Sequence, residues 1–243
     1  MEYRGALDVS ELGPDGMTGR NPIMVWQPVV DLRTGAVIGH EALARFEAAS
    51  PAVVFDYAAE RGLSEDLDAL CIAQALRRPP RSGLIFVNVT AATVRSGHFP
   101  AIPPAVASRV VWELPETGGW DPAMIPQGYA VALDDVGTGF AELVRVTQVP
   151  WRFLKLDASL VAGVGTHSTH RALIRELVVR ARNRHGAVIA EGVELAHDAA
   201  ALADLGVSYG QGYLWSYPQR APSSLLPAWG PGYNEHNIIT KGR

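Results

Sequence analysis

The sequence predicts an α/β fold: a closed barrel in which strands and helices alternate and the first strand runs against the others. Three observations carry this expectation. Eight short runs are rich in β-branched and aromatic residues. Helical patterns recur between most of them, which implies parallel pairing. The first two runs are separated only by a tight turn at Arg33, Thr34 and Gly35, a hairpin signal.

In chain order, the expected strands are Ile23–Asp31, Ala36–Arg45, Gly83–Thr90, Arg109–Leu114, Tyr129–Asp134, Arg152–Asp157, Ala187–Glu191 and Ser208–Leu214. Helices are expected over Ser64–Arg77, His170–His185 and Ala196–Leu205. In the second of these, Ile174, Leu177, Val178 and Ala181 share one face, and Gly186 marks a stop. A doubly wound open sheet is the alternative arrangement, but no Gly-rich phosphate loop follows the first strand.

The bulk properties set limits. The 243 residues are 48% hydrophobic and 19% charged, as expected of a globular protein with a large core. The net charge of −4 opposes general binding to DNA, RNA or an anionic membrane surface, yet permits one small anionic nucleotide in a local site. Cys71 is the only cysteine, so no internal disulfide forms, and it reads as a small buried hydrophobe on a helix. Apolar runs fall short of the roughly 20 residues of a membrane span. Residues 1–22 read as a flexible lead-in, residues 23–221 as the barrel and residues 222–243, rich in Pro and Gly, as an irregular tail. A cytoplasmic location is expected.

Polar residues in the strands are the most informative feature. Glu41 lies in an apolar strand, Asn88 follows Leu84–Val87, and Glu113 follows Val110, Val111 and Trp112. Asp134 and Asp135 close Ala130–Leu133, Lys155 sits between Leu154 and Leu156, Glu191 closes Val188–Ala190, and Gln211 falls in the last strand. Strands buried on both faces do not carry carboxylates without partners. In a (β/α) barrel the C-terminal strand ends open on one face, so these residues are expected to meet in one mouth. Asp157, in contrast, reads as a helix cap. Crowded carboxylates repel unless cations neutralise them, and an all-oxygen set selects Mg²⁺ or Mn²⁺. The adjacent pair Asp134 and Asp135 suits two ions.

These residues sit in recognisable motifs. Glu41-Ala42-Leu43 followed by Arg45 resembles the motif that names the EAL family. In order along the chain, Trp26-Gln27-Pro28-Val29, Val87-Asn88-Val89, Glu113-Leu114-Pro115-Glu116 and Asp134-Asp135-Val136-Gly137-Thr138-Gly139 resemble further motifs of that family. So do Lys155-Leu156-Asp157, Ala190-Glu191-Gly192-Val193-Glu194 and Gln211-Gly212-Tyr213-Leu214.

The resemblance implies a modified TIM-type (β/α)8 barrel that hydrolyses cyclic di-GMP to linear pGpG with a water activated by two ions, Mg²⁺ or Mn²⁺; Ca²⁺, larger and more loosely coordinated, is expected to inhibit. It implies that Glu41, Asn88, Glu113 and Asp134 hold one ion and that Asp134, Asp135 and Glu191 hold the other. Lys155 would orient the attacking water, with Glu191 as a possible base, and Glu41 belongs to the same catalytic set. Gln27, Arg45 and Gln211 would bind substrate. Glu116 would support the Asp-Asp loop and Glu194 the region of Lys155. A homodimer is also implied.

The chain departs from the family pattern in places. The segment Phe46–Ser50 is short and lacks a His-Pro pair, Phe140-Ala141-Glu142 replaces the favoured Tyr-Ser-Ser, and Pro115 replaces Thr. The last motif runs on as Trp215-Ser216-Tyr217-Pro218, without the common Gly and Arg. These altered loops are the one feature favouring a catalytically silent domain that binds cyclic di-GMP or a protein partner.

Overall fold

The structure, a computed structural model, describes residues 21–47, 49–115, 119–137 and 139–220. The expected lead-in up to Arg20, the tail from Ala221 and Glu116 lie outside these residues.

Eight strands close into a barrel in sequence order: β1 (Ile23–Asp31), β2 (Val37–Arg45), β3 (Leu84–Asn88), β4 (Val110–Leu114), β5 (Ala130–Val136), β6 (Phe153–Leu156), β7 (Ala187–Ala190) and β8 (Tyr209–Gly210). β1 is antiparallel to both β2 and β8, and the other pairs are parallel. The hairpin rests on Asp31, whose Oδ1 accepts from the backbone N–H groups of Arg33 and Thr34 and from the Thr34 hydroxyl.

Helices α1 (Pro51–Glu60), α2 (Ser64–Arg77), α3 (Ala91–Ser96), α4 (Pro104–Ala107), α5 (Phe140–Gln148), α6 (Ala158–Val161), α7 (Ser168–Asn183) and α8 (Ala196–Leu205) connect the strands. In α7 the buried residues are Ile174, Leu177, Val178 and Ala181, the face expected from the 3.6-residue period. Asp157 caps α6, accepting from the backbone N–H of Ser159. Cys71 is buried on α2, where burial pushes its thiol up to about 12.

Strand alternation divides the core. Residues such as Val87, Trp112, Leu114, Leu133, Leu154 and Val188 face the helices. Val29, Phe86, Val111, Ala132, Phe153 and Ile189 form a separate small cluster that plugs the lumen. Two residues on from these plugs, on the same face, come Asn88, Glu113, Asp134, Lys155 and Glu191. The plug is therefore the floor of the polar mouth.

Two expectations are corrected. The last strand is Tyr209–Gly210 alone, not Ser208–Leu214, so Gln211 follows it. Beyond Gln211 the chain turns tightly over Val193: a Cβ on Gly212 would lie 2.1 Å from the Val193 carbonyl oxygen, and Leu214 donates to that oxygen. At the end of α7, His185 rather than Gly186 takes the left-handed conformation, at φ 56°. The N–H groups of His185 and Gly186 bond to Arg182 and Ala181, closing the helix. Gly186 serves a different need, because a Cβ there would lie 2.8 Å from the Trp151 ring.

Candidate active site

Each strand delivers its polar side chain through the same two-residue period. Gln27 stands opposite Glu41 in the β1–β2 register, and Asn88 stands beside Glu113 in the β3–β4 register. β5 departs from regularity at the informative point. Its pairing with β6 slips between Leu133 and Val136, and Asp135 lies in the left-handed region at φ 51°. This is a bulge. It brings two consecutive carboxylates toward one face, which a regular strand forbids. Carboxylate oxygens of Asp134, Asp135 and Glu191 lie within 4.8 Å of one another.

Lys155 is the hub. It is 1% exposed, and its Nζ lies 2.6 Å from Glu113 Oε1, 2.8 Å from Asp134 Oδ1, 2.8 Å from Glu191 Oε1 and 3.5 Å from Glu41 Oε2. Burial alone would lower the pKa of Lys155, but Asp134, Glu113, Glu191 and Glu41 outweigh it and hold the ammonium charged.

The carboxylates are not equivalent. Burial raises Glu113 well above the usual range, with the charges of Glu41 and Asp134 adding to it. Glu191 is raised in the same way by burial, Asp134 and Glu41, with Lys155 opposing. Glu41 meets the same burial, but Lys155 and hydrogen bonds from Gln211 and Asn88 bring it below the usual range. Those bonds are 2.6 Å from Gln211 Nε2 to Glu41 Oε2 and 2.7 Å from Asn88 Nδ2 to Oε1. Gln211 Nε2 also donates to Gln27 Oε1, and Gln27 Nε2 donates to the Ser216 carbonyl.

One ammonium faces four carboxylates, so negative charge remains in excess. Glu113 Oε2 is buried and accepts no hydrogen bond from the described residues. The donor set is oxygen-rich and electron-rich, and it fits hard divalent cations.

A cleft of about 380 Å³ opens on this cluster, lined by Gln27, Glu41, Asp134, Asp135, Lys155, Glu191 and Gln211. Its rim adds Leu43, Gly192, Glu194, Gly212 and Tyr213. Glu194 is exposed there, and no hydrogen bond or ion pair joins it to Lys155. Arg45 lines a neighbouring apolar cavity with Phe55, Cys71 and Ile72, and its guanidinium donates to the Ala44 carbonyl.

Sequence reasoning missed two contributors. Ser216 offers its backbone carbonyl to Gln27, and a backbone acceptor leaves no trace in residue identity. Asp68 of α2 accepts from the backbone N–H and hydroxyl of Thr90 at 2.7 and 2.8 Å and from the Thr93 hydroxyl at 2.5 Å. It thereby ties the segment just after Asn88. Its pairing with two threonines more than twenty residues away has no local signal.

The EAL domain family model matches residues 14–218. The chain belongs to the EAL domain family. Within that family it is 27% identical over 242 residues to the probable cyclic di-GMP phosphodiesterase PdeB of Escherichia coli K12, covering 88% of this chain and 46% of PdeB. The chain spans less than half the length of such curated relatives, 30% for one from Azorhizobium caulinodans. Among solved structures, an EAL domain protein from Listeria monocytogenes superposes with a TM-score of 0.73 at 21% identity, covering 90% of this chain and 96% of that one, a likeness of fold. The EAL enzyme Bd1971, in its form bound to cAMP and cyclic-di-GMP, superposes with a TM-score of 0.68 at 26% identity, covering 82% of this chain and 62% of Bd1971.

Proposed function

We propose that this EAL domain hydrolyses cyclic di-GMP to linear pGpG. The observation that carries the reading is the buried Lys155 ammonium among Glu41, Glu113, Asp134 and Glu191 at the barrel mouth, with Asp135 brought in by the bulge. Family membership and the name of PdeB supply the substrate.

Glu41, Asn88, Glu113 and Asp134 would hold one ion, and Asp134, Asp135 and Glu191 a second. When bound, Mg²⁺ or Mn²⁺ neutralises the crowded carboxylates, polarises the phosphoryl group and acidifies water. The chain's own residues do the rest. Lys155 directs a fixed positive charge at the phosphate oxygens, where negative charge grows in the transition state. Glu191 accepts a proton from the attacking water as the water oxygen bonds to phosphorus and the P–O3′ bond breaks, the departing O3′ taking a proton from solvent. Gln27 and Gln211, held to each other, bind the substrate, and Arg45 reaches over from the neighbouring cavity to a phosphate.

A homodimer, which rests on the family resemblance, and a cytoplasmic site of action belong to the same proposal. Sedimentation velocity tests the dimer. The function is tested by assaying cyclic di-GMP, linear dinucleotides and a generic aryl phosphodiester with Mg²⁺, with Mn²⁺ and after chelation. Metal-dependent turnover of cyclic di-GMP in preference to the others is expected. Binding without turnover would replace the reading with that of a receptor.

A further inference from the structure

Tyr213 stands at the rim of the cleft, stacked on Tyr217, in a geometry the proposed chemistry does not use. The rings of Tyr213 and Tyr217 stack with centroids 4.2 Å apart and planes inclined by 29°. They are 48% and 64% exposed, and Tyr217 is the most exposed large apolar side chain among the described residues. Tyr213 lines the same cleft as Glu41, Asp134 and Glu191.

The segment that carries them is anchored at several points. Gln211 N–H bonds to Ala190 O, and Leu214 N–H bonds to Val193 O. The Ser216 carbonyl accepts from Gln27, and Gln219 exchanges two backbone bonds with Trp26. A flat aromatic surface is thus held in place before any ligand arrives, which reduces the ordering cost of binding. Large apolar surface left in water at the edge of a polar cleft marks a binding surface.

We propose that Tyr213 and Tyr217 form a stacking platform for one purine base of the bound dinucleotide. This rests on the phosphodiesterase reading and extends it to base recognition. A phosphodiester held through the ions that the acidic cluster would bind brings its nucleoside to the rim of the same cleft. An exposed aromatic face suits the π-surface of a purine.

The test measures kcat and KM for cyclic di-GMP with Tyr217→Ala, Tyr217→Leu and Tyr217→Phe. Loss of stacking is expected to raise KM about ten-fold or more in the Ala and Leu variants, with kcat within about two-fold and wild-type KM in the Phe variant. The Leu variant separates stacking from apolar bulk, and exposure of Tyr217 keeps all three folded. Wild-type KM in the Ala variant, or in the Leu variant, would overturn the platform. If the wild-type protein fails to turn over cyclic di-GMP, the functional reading falls by itself. Calorimetric affinity for cyclic di-GMP then decides the platform: ten-fold weaker binding by Tyr217→Ala sustains it, and equal or absent binding by both proteins overturns it.

Discussion

Lys155 and Glu113 form a salt bridge of 2.6 Å at the centre of the barrel, and each residue is 1% exposed. Neither charge could stay buried alone. Removing one partner of a buried pair leaves an uncompensated charge that costs about 3–5 kcal/mol. Lys155→Met is expected to lose stability on that scale at pH 7 in the absence of divalent ions. Its deficit should shrink at lower pH, because protonation discharges the carboxylates that the ammonium had balanced. Urea unfolding of both proteins at pH 5 and pH 7.5 checks this, and a deficit independent of pH would contradict it.

Glu41→Ala and Asp134→Ala are each expected to abolish turnover while the fold survives. Both carboxylates raise Glu113, so removing either relieves repulsion around it. Circular dichroism together with the cyclic di-GMP assay distinguishes a chemical role from a structural one. Unfolding of either variant would reassign that residue to the framework.

Divalent ions should stabilise the protein as well as activate it. A ligand present at a hundred times its dissociation constant adds about 2.7 kcal/mol to folding. Mg²⁺ and Mn²⁺ are expected to raise Tm and to be required for turnover, with chelation reversing both. Ca²⁺, being larger and more loosely coordinated, should raise Tm while inhibiting turnover. Asp134→Ala should blunt the Tm response, which separates ion binding from catalysis.

Asp68 supplies a prediction remote from the chemistry. Burial raises its pKa to about 6, although hydrogen bonds from Thr93 and Thr90 lower it in part. A carboxyl raised on folding binds its proton more tightly in the native state. Its contribution is therefore fully present below the ordinary carboxyl pKa and lost as pH rises through about 6. The loss amounts to about 3 kcal/mol, at 1.36 kcal/mol per unit. Asp68→Asn keeps an acceptor for Thr90 and lacks the titration. Its stability relative to wild type should thus climb between pH 4 and pH 7, as read by urea unfolding at each pH.

Much of this site was legible because β-structure has a period of two. Glu113 and Lys155 each lie two residues beyond a plug residue, Val111 and Phe153, so a polar residue in an apolar run already pointed into the lumen. The bulge at Asp135 was not legible, since it depends on how β5 meets β6 and on a left-handed aspartate. The end of α7 misled because glycine is the usual left-handed residue. Here packing against Trp151 claims Gly186, and His185 takes the strained place. The length of β8 and the neighbouring cavity around Arg45 likewise depend on tertiary contacts rather than on local pattern.

Gln27 and Gln211 are 184 positions apart, yet they share a hydrogen bond, and Gln211 also holds Glu41. The antiparallel β1 makes this possible by meeting β8 and closing the ring. Contacts of such sequence separation form late in folding. During synthesis, β1 and β2 emerge early, but their polar side chains lack the amide that orders them until nearly all of the barrel has left the ribosome. The half-made chain thus carries the first glutamate of the site without the geometry to use it, and competence should arrive in a single step with the last strand.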